Sequence, residues 1–183
     1  TQAVEVTKLS LLLKVLEGEN EQTINAQLKM FHERALPDLG NNIKCGNSLI
    51  GPDFFDGKLI VDAEERMRIN VFDWKAEFKE IMDAGGFDAV IGNPPYIRIQ
   101  SMREWAPLEV DFYKSAYQSA SSGNYDIYVV FVEKTLDLLK NVGKLGLILP
   151  HKFFTAEYGL ELRKRLSAGR NVSAIVHFGD QQV

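Results

Sequence analysis

Four consecutive residues, Asn93-Pro94-Pro95-Tyr96, have types and an order that suit the binding of a planar amino group. Two successive prolines fix the local backbone, so the Asn93 side chain and the Pro94 carbonyl can be held as neighbouring hydrogen-bond acceptors. An NH2 group donates two hydrogens, which two such acceptors match, and Tyr96 offers a flat face on which a planar group can stack. The alternative is a plain turn that ends a strand, because Asn and Pro are common turn residues. The whole pattern after an apolar strand is more specific than a Pro-Pro pair alone.

An apolar run directly before this turn predicts the element that positions it. Ala89-Val90-Ile91 is typical of a buried strand, which we place over Phe87–Gly92, and Gly85-Gly86 predicts a loop ahead of it. Neither proline can donate to a sheet ladder, so the strand must stop at the turn. The turn therefore lies at the carboxyl end of the strand, the edge at which open α/β sheets bind ligands.

Helical and strand patterns alternate along the rest of the chain. The predicted helices cover Ala3–Leu16, Ala26–Arg34, Ala63–Arg68, the stretch after an Asp73 N-cap, Tyr125–Asn141 and Phe153–Leu166. The predicted strands cover Asn42–Cys45, Phe87–Gly92, Lys144–Leu149 and Val172–Phe178. This alternation predicts βαβ units and an α/β fold, with a mostly parallel sheet that helices cover on both faces.

Composition and charge restrict the class of protein. A chain of 183 residues suits one domain, and no apolar run approaches the roughly 20 residues that span a bilayer, so we expect no membrane partner. The single cysteine excludes an internal disulfide and fits a cytoplasmic location. The net charge is −4, yet residues 93–165 carry 10 Lys/Arg against 8 Asp/Glu, whereas residues 1–92 carry 10 against 16. The part after the turn is mildly basic, which permits contact with phosphates.

A long stretch, residues 97–124, separates the turn from the next strong helix. It interleaves aromatic, amide and basic side chains, a composition that suits a substrate channel, lid or binding loop. The same composition equally suits a pair of amphipathic surface helices, so both interpretations stay open.

Asn93-Pro94-Pro95-Tyr96 resembles the catalytic motif of amino-group methyltransferases that use S-adenosylmethionine. These include DNA adenine-N6, protein glutamine-N5 and some ribosomal RNA guanine-N2 methyltransferases. The wider chain resembles the methylase part of bacterial restriction-modification enzymes that modify adenine N6. The segments that carry this likeness are residues 3–11, Ile43–Gly51, Asp126-Ile127-Tyr128, Phe131-Val132-Glu133, Gly146–Pro150 and Phe153-Phe154. Glutamine methyltransferases usually lack the insertion and the downstream run, so adenine in DNA ranks above the protein and RNA alternatives.

The resemblance implies a Rossmann-like, S-adenosylmethionine-dependent methyltransferase fold and a role for each residue of the turn. Asn93 and Pro94 would hold the target amino group, Pro95 would be structural, and Tyr96 would stack on the target base. The lone pair of an adenine amine is delocalised into the ring, and two acceptors on its hydrogens would favour a localised lone pair. The base must leave the duplex to reach the turn, so base flipping is implied.

The resemblance also implies residues that bind the cofactor and the DNA. Asn47 stands where the family places a residue, frequently an acid, that bonds the adenine of S-adenosylmethionine. The cofactor-binding residues would be Asn47, Ser48 and Asn93, and the substrate-binding residues would be Tyr96, Arg98 and Lys152. The chemistry requires no metal, and His32, His151 and His177 show no ligand spacing.

The family's glycine-rich cofactor loop, ribose-binding acid and target-recognition domain have no counterpart in this sequence. We therefore expect residues 1–183 to be a single partial catalytic domain, truncated at both ends, with residues 97–124 as a substrate-side insertion. We expect the parent protein to act on double-stranded DNA with a flipped adenine and to work with a fused or associated nuclease. The chain alone is expected to be inactive and to bind S-adenosylmethionine weakly or not at all.

Two other classes of function compete with this prediction. Asp73 with Glu77-Phe78-Lys79 matches the carboxylate-lysine signature of restriction nucleases, but that site normally lies on adjacent strands and this stretch has a helical period. The remaining class is a non-catalytic DNA-binding or scaffold fragment of a restriction enzyme that kept the fold.

Overall fold

The structure, a computed structural model, describes residues 2–17, 39–57, 62–121, 123–169 and 171–179. The chain divides into two compact units, Thr1–Ser48 and Leu49–Val183. The first contains helix α1 (Gln2–Leu16), which confirms the predicted first helix. The predicted helix over Ala26–Arg34 lies outside the described residues.

The second unit combines short helices with a small parallel sheet. Its α-helices are α2 (Ala63–Ile69), α3 (Trp74–Glu77), α4 (Lys79–Asp83), α5 (Ile99–Trp105), α6 (Pro107–Ala116), α7 (Tyr128–Leu138) and α8 (Leu160–Ala168). Its strands are β1 (Phe87–Gly92) and β2 (Leu139–Leu147). Short 3-10 helices cover Pro52–Phe55, Gln118–Ala120, His151–Phe154 and Glu157–Gly159. No helix in the described ranges is long and apolar enough to cross a membrane.

Local sequence accounts for the short helices ahead of β1. The Asp62 carboxylate caps α2, and Asn70 ends that helix in the left-handed conformation with φ of 50°. The Asp73 carboxylate accepts from the backbone N–H groups of Lys75 at 2.9 Å and Ala76 at 3.0 Å. The predicted N-cap at Asp73 is therefore confirmed, and it starts α3.

Strands β1 and β2 pair in parallel, as expected for the sheet of an α/β fold. Ala89 lies opposite Lys144 and Gly92 lies opposite Leu147, with a shift of register between Phe87 and Ala89. Parallel strands that are paired end together at the same edge of the sheet. The residues after Gly92 and after Leu147 are therefore brought side by side, although they are far apart in sequence.

A pair of glycines lets the chain enter β1 close to the end of α7. Gly85 and Gly86 have φ of +95° and +114°, a range that side chains other than glycine rarely adopt. A Cβ atom on Gly86 would clash with the carbonyl oxygen of Leu138. The predicted loop at these two residues is confirmed, and the close approach explains why the second one is glycine.

The core of the second unit lies mainly among helices rather than on the sheet. Residues 97–124 contribute a large part of it, through the buried side chains of Ile99, Met102, Ala106, Val110, Tyr113, Tyr117 and Ala120. Helix α7 supplies Tyr128, Val129, Val130 and Val132. Residues 97–124 therefore contain two amphipathic helices with buried apolar faces, and a role as substrate channel, lid or binding loop stays a prediction.

A buried carboxylate holds the end of this helical pair in place. Glu133 on α7 accepts from the backbone N–H groups of Gln118 at 3.1 Å and Ser119 at 2.7 Å, and from Arg165 at 3.0 Å. Arg165 also pairs with Asp137. A carboxylate that accepts two backbone N–H groups and one guanidinium satisfies groups that would otherwise be costly to bury. Glu133 therefore acts as a clamp between α7, α8 and the turn that follows α6.

Two of the four predicted strands are wrong. Asn42–Cys45 and the described segment 171–178 form no strand, and the latter is exposed throughout. The reason is that a strand exists only through hydrogen bonds to a neighbour, and apolar composition does not supply one. The expected burial of β1 is also wrong at Ile91, whose side chain is 86% exposed. The described residues therefore do not show the expected sheet with helices on both faces.

Three predicted boundaries after the turn are also wrong. The helix predicted over Tyr125–Asn141 is shorter, because β2 begins at Leu139 and pairs with β1 instead of continuing α7. The strand predicted over Lys144–Leu149 consequently starts five residues earlier in the structure. The helix predicted over Phe153–Leu166 is divided into two 3-10 helices and α8.

Candidate active site

The turn Asn93-Pro94-Pro95-Tyr96 follows β1 directly, as the sequence predicts. Pro94 is buried, whereas Asn93 and Pro95 are exposed and the Tyr96 side chain is 49% exposed. Among the described residues, no group donates a hydrogen bond to the Pro94 carbonyl oxygen. The buried proline anchors the turn while its neighbours face solvent.

The end of β2 fastens this turn from the other strand. The backbone N–H of Ile148 donates to the Gly92 carbonyl at 3.3 Å, which extends the strand pairing by one residue. The Tyr96 hydroxyl lies 2.8 Å from the Ile148 carbonyl oxygen and 2.6 Å from Asn93 Oδ1. The side chains of Asn93 and Tyr96 are thus held together at the carboxyl edge of the sheet.

The helical pair of residues 97–124 begins and ends at the turn. Arg98 and Asp126 form an isolated antiparallel bridge. Ile99 N–H donates to the Tyr125 carbonyl and Ile127 N–H donates to the Ile97 carbonyl, each at 2.9 Å. Because the two ends of the segment are bonded to each other, its helices are a fixed attachment beside the turn.

Aromatic rings lead from Tyr96 into the core. Tyr96 meets Tyr128 edge to face with ring centroids 6.2 Å apart, and Tyr128 meets Phe153 in the same way at 6.2 Å. The Tyr128 hydroxyl lies 2.9 Å from the Tyr158 hydroxyl. Burial, together with this hydrogen bond, raises the pKa of Tyr128 above its ordinary value. The buried Tyr128 therefore stays neutral and supports the edge of the Tyr96 ring.

The other predicted site residues are placed unevenly. Arg98 is exposed two residues after the turn, and Lys152 is exposed on the 3-10 helix after β2. Asn47 and Ser48 are half-buried in the first unit. The structure thus brings together Asn93 and Tyr96 by a direct hydrogen bond, and the roles of all these residues stay predictions.

The contact of Ile148 with the turn is a feature of this site that the sequence does not predict. Ile148 contributes through its backbone carbonyl, so its apolar side chain carries no signal. Gly92 lies opposite Leu147 in the parallel pair, and only this register indicates that Ile148, the residue after β2, meets the turn. Asp126 and Tyr128 belong to a segment of the family resemblance and to the predicted helix Tyr125–Asn141, and the structure gives them contacts beside the turn.

The competing features of the sequence have structural explanations. Asp73 caps α3, and Lys79 pairs with Asp83 one turn along the exposed face of α4. These residues lie on helices and not on the adjacent strands of a nuclease site. His151 and His177 show no metal-ligand spacing in the sequence. In the structure, the centroids of their rings lie 5.6 Å apart. In the described part of the chain, no three His, Cys, Asp or Glu side chains are grouped so that they could hold a metal ion.

An edge of a parallel sheet that presents an amide oxygen, a backbone carbonyl and a partly exposed aromatic ring suits the binding of a flat, amine-bearing group. Residues 1–183 match the family model of the Eco57I restriction-modification methylase. The chain therefore belongs to this family.

Individual relatives agree with the family assignment. The chain is 38% identical over 181 residues to the type II restriction enzyme and methyltransferase RM.Eco57I of Escherichia coli, covering 99% of this chain and 16% of that protein. It is 35% identical over 96 residues to the type II methyltransferase M.PaeR7I of Pseudomonas aeruginosa, covering 52% of this chain and 16% of that protein. It is 23% identical over 173 residues to the adenine-specific methyltransferase PglX of Streptomyces coelicolor, covering 87% of this chain and 13% of that protein. The chain thus spans less than one fifth of each of these relatives. No solved structure matches it.

Proposed function

We propose that this chain is part of the catalytic domain of a DNA methyltransferase of a restriction-modification system. It would transfer a methyl group from S-adenosylmethionine to the N6 amino group of adenine. The observation that supports this most directly is the turn Asn93–Tyr96 at the carboxyl end of β1, fastened by the end of the parallel strand β2. That edge is where open α/β sheets bind ligands. The family assignment supports methyl transfer in a restriction-modification system.

The proposal includes a Rossmann-like fold of which residues 1–183 form one partial domain. The parallel β1–β2 pair, joined through α7, is consistent with that fold. Residues 97–124 would form an insertion on the substrate side. Their helices are fixed beside the turn by the backbone bonds around Arg98 and Asp126, which supports such a position.

Catalysis by these residues is a matter of holding the amine. The Asn93 carboxamide oxygen and the Pro94 carbonyl would accept the two amine hydrogens, which localises the nitrogen lone pair for attack. The nitrogen–carbon bond would form as the bond between the methyl group and sulfur breaks, which leaves a neutral thioether. An amide oxygen is too weak a base to keep the proton, so one amine proton would then pass to water. Tyr96 would stack on the flipped base through the exposed part of its ring. The gain comes from orientation, since a correctly placed amine needs no stronger base.

The residues predicted to hold the cofactor have suitable chemistry. S-adenosylmethionine, when bound, supplies a methyl group already activated by the positive charge on sulfur. Asn47 offers a carboxamide that can both accept from and donate to an adenine edge, and Ser48 offers a hydroxyl. Asn93 presents a neutral side chain in an exposed position, which suits a neighbouring cation better than a lysine or arginine would. Asn47, Ser48 and Asn93 are therefore the residues we assign to the cofactor.

The whole protein would act on double-stranded DNA and would carry or recruit further parts. The relative RM.Eco57I is named as both a restriction enzyme and a methyltransferase, which supports a fused or associated nuclease in this case too. Arg98, two residues after the turn, and Lys152, on the 3-10 helix after β2, are both exposed and would contact DNA phosphates.

The proposal is tested with the full-length gene product, labelled S-adenosylmethionine and plasmid DNA from a host without DNA methylation. Hydrolysis of the plasmid to nucleosides should give labelled N6-methyl-2′-deoxyadenosine. Asn93→Ala should lower the rate at least about 100-fold, by analogy with the loss of one preorganised polar contact. Asn141→Ala, exposed on β2, is the matched control and should retain the wild-type rate.

Two outcomes would overturn the proposal. Label found in protein glutamine or in RNA guanine, with none in DNA, would favour the alternative amino-group substrates. An unchanged rate for Asn93→Ala would mean that this turn is a structural remnant on a scaffold.

A further inference from the structure

The Tyr96 hydroxyl lies between two oxygen atoms. It is 2.6 Å from Asn93 Oδ1 and 2.8 Å from the carbonyl oxygen of Ile148. A phenol carries one hydrogen, and a backbone carbonyl can only accept. The hydroxyl can therefore donate to one of these two oxygens and not to both.

Of the two possible arrangements, one leaves a group unsatisfied. If the hydroxyl donates to Asn93 Oδ1, its contact with the Ile148 oxygen contains no hydrogen. If it donates to the Ile148 oxygen, the atom of Asn93 that faces it must be a donor. Rotation of the Asn93 carboxamide by about 180° about its last bond supplies that donor, because this torsion is roughly two-fold and exchanges Oδ1 with Nδ2. With Nδ2 towards Tyr96, all three polar groups have partners.

Ile148 is fixed strongly enough to set this polarity. Its N–H group donates to the Gly92 carbonyl at 3.3 Å, so it is bonded to the strand that leads into the turn. The ring of Tyr96 is held by edge-to-face contact with Tyr128, which is fully buried. The Tyr96 hydroxyl therefore sits between a fixed acceptor and a side chain that can rotate.

We propose that the Tyr96 hydroxyl, by donating to the Ile148 carbonyl, turns the Asn93 carboxamide so that Oδ1 faces the substrate amine. This inference rests on the proposed function. In the opposite orientation, the NH2 group of Asn93 would face the NH2 group of the substrate, and two donors would oppose each other. Tyr96 is then a positioning residue through its hydroxyl, separately from the stacking role predicted for its ring.

Tyr96→Phe tests the hydroxyl alone because it keeps the ring. The assay is steady-state methylation of unmethylated plasmid DNA by the full-length gene product, with the DNA concentration varied. Loss of one orienting hydrogen bond should lower kcat by about 3- to 10-fold, which corresponds to about 0.6–1.4 kcal/mol. The KM for DNA should change by less than about 2-fold, since the stacking face remains. Tyr125→Phe is the matched control, because it removes a buried hydroxyl that bonds no group among the described residues, and kcat should stay at the wild-type value.

A second background separates orientation from general damage. In Asn93→Asp both side-chain oxygens are acceptors, so the group has no wrong orientation to correct. Adding Tyr96→Phe to Asn93→Asp should therefore change kcat by less than about 2-fold. If the double variant is too slow to assay, the split between kcat and KM for Tyr96→Phe against Tyr125→Phe decides the question.

The outcomes distinguish this inference from the proposed function. If the wild-type protein does not methylate adenine, the proposed function is wrong, and the inference that rests on it is wrong as well. If the wild type is active and Tyr96→Phe matches it in kcat, only the inference is overturned. An equal loss of kcat on adding Tyr96→Phe to wild type and to Asn93→Asp would also overturn it, because the hydroxyl would then act on something other than the orientation of Asn93.

Discussion

Removing the charge of Glu133 should lower the stability of the second unit, because this buried side chain accepts several hydrogen bonds. Glu133 accepts three hydrogen bonds, from Gln118 N at 3.1 Å, Ser119 N at 2.7 Å and the Arg165 guanidinium at 3.0 Å. Its side chain is 6% exposed, so water cannot replace a lost partner. Glu133→Gln keeps the shape and volume but leaves only one oxygen. At least one of the three donors then faces an NH2 group.

The magnitude follows from those contacts. A hydrogen bond to a charged group contributes about 1.5–3 kcal/mol, and a buried donor left without a partner costs about 1–3 kcal/mol. Arg165 is 31% exposed, so its own share is reduced by solvent. We expect Glu133→Gln to lower the free energy of unfolding by about 2–4 kcal/mol, which is about 5–15 °C in Tm for a chain of this size.

Urea unfolding at neutral pH measures the free energy of unfolding. Amide hydrogen exchange at Ser119 reports on the hydrogen bond from Ser119 to Glu133. Exchange of that amide should speed up in Glu133→Gln because its acceptor is lost. Glu161→Gln is the matched control, since the half-buried Glu161 forms an i,i+3 pair with the exposed Lys164 on α8, and the change should alter stability by less than about 0.5 kcal/mol. A loss of stability in Glu133→Gln no greater than that in Glu161→Gln would contradict this role of Glu133.

The other predictions concern the entry to β1 and the buried tyrosines. Gly86→Ala should destabilise by at least about 2 kcal/mol in urea unfolding, because it adds a clash with the end of α7 to an unfavourable φ. Gly57→Ala has a positive φ and open space around it, so only the backbone strain of about 1 kcal/mol remains; equal losses for the two variants would contradict the clash. Burial raises the pKa of Tyr117, Tyr125 and Tyr128 above the ordinary value, so the folded state retains these protons to higher pH than the unfolded state does. Their stabilising contribution is complete below about pH 10 and is lost above it, at up to roughly 1.4 kcal/mol per pH unit for each group. Tyrosinate absorbance and loss of helical circular dichroism should therefore rise together above pH 10, and ionisation of these groups without unfolding would contradict their burial.

Local features of this protein could be predicted well because each depends on residues close together in the chain. The Asp73 cap, the glycine pair before β1 and the stop at Pro94 all follow from rules about a few neighbouring side chains and backbone groups. The helical pattern of residues 63–69 belongs to the same group. For such features the sequence contains every atom that takes part in the interaction.

The predicted boundaries of helices and strands were wrong where pairing with a residue distant in sequence competed with the local preference for helix. The apolar pattern after Tyr128 continues smoothly past Leu138, which favours a longer helix. Pairing with β1 instead takes Leu139 onward into a strand, since a strand hydrogen bond is available there and the two structures exclude each other. The segment 171–178 has the composition of a strand but no described neighbour with which to pair, so it forms none.

By itself, the sequence determined the candidate site's chemistry: an amide, two rigid prolines and an aromatic ring at the end of a strand. Only the tertiary structure decided what those groups contact. The Ile148 carbonyl lies 52 residues beyond Tyr96 in the chain, and Glu133 clamps a turn that precedes it by 14 residues. A backbone carbonyl has the same chemistry in every residue, so no side-chain pattern marks Ile148. Its importance arises from the parallel register of β1 and β2, which places one acceptor within hydrogen-bond distance of one hydroxyl.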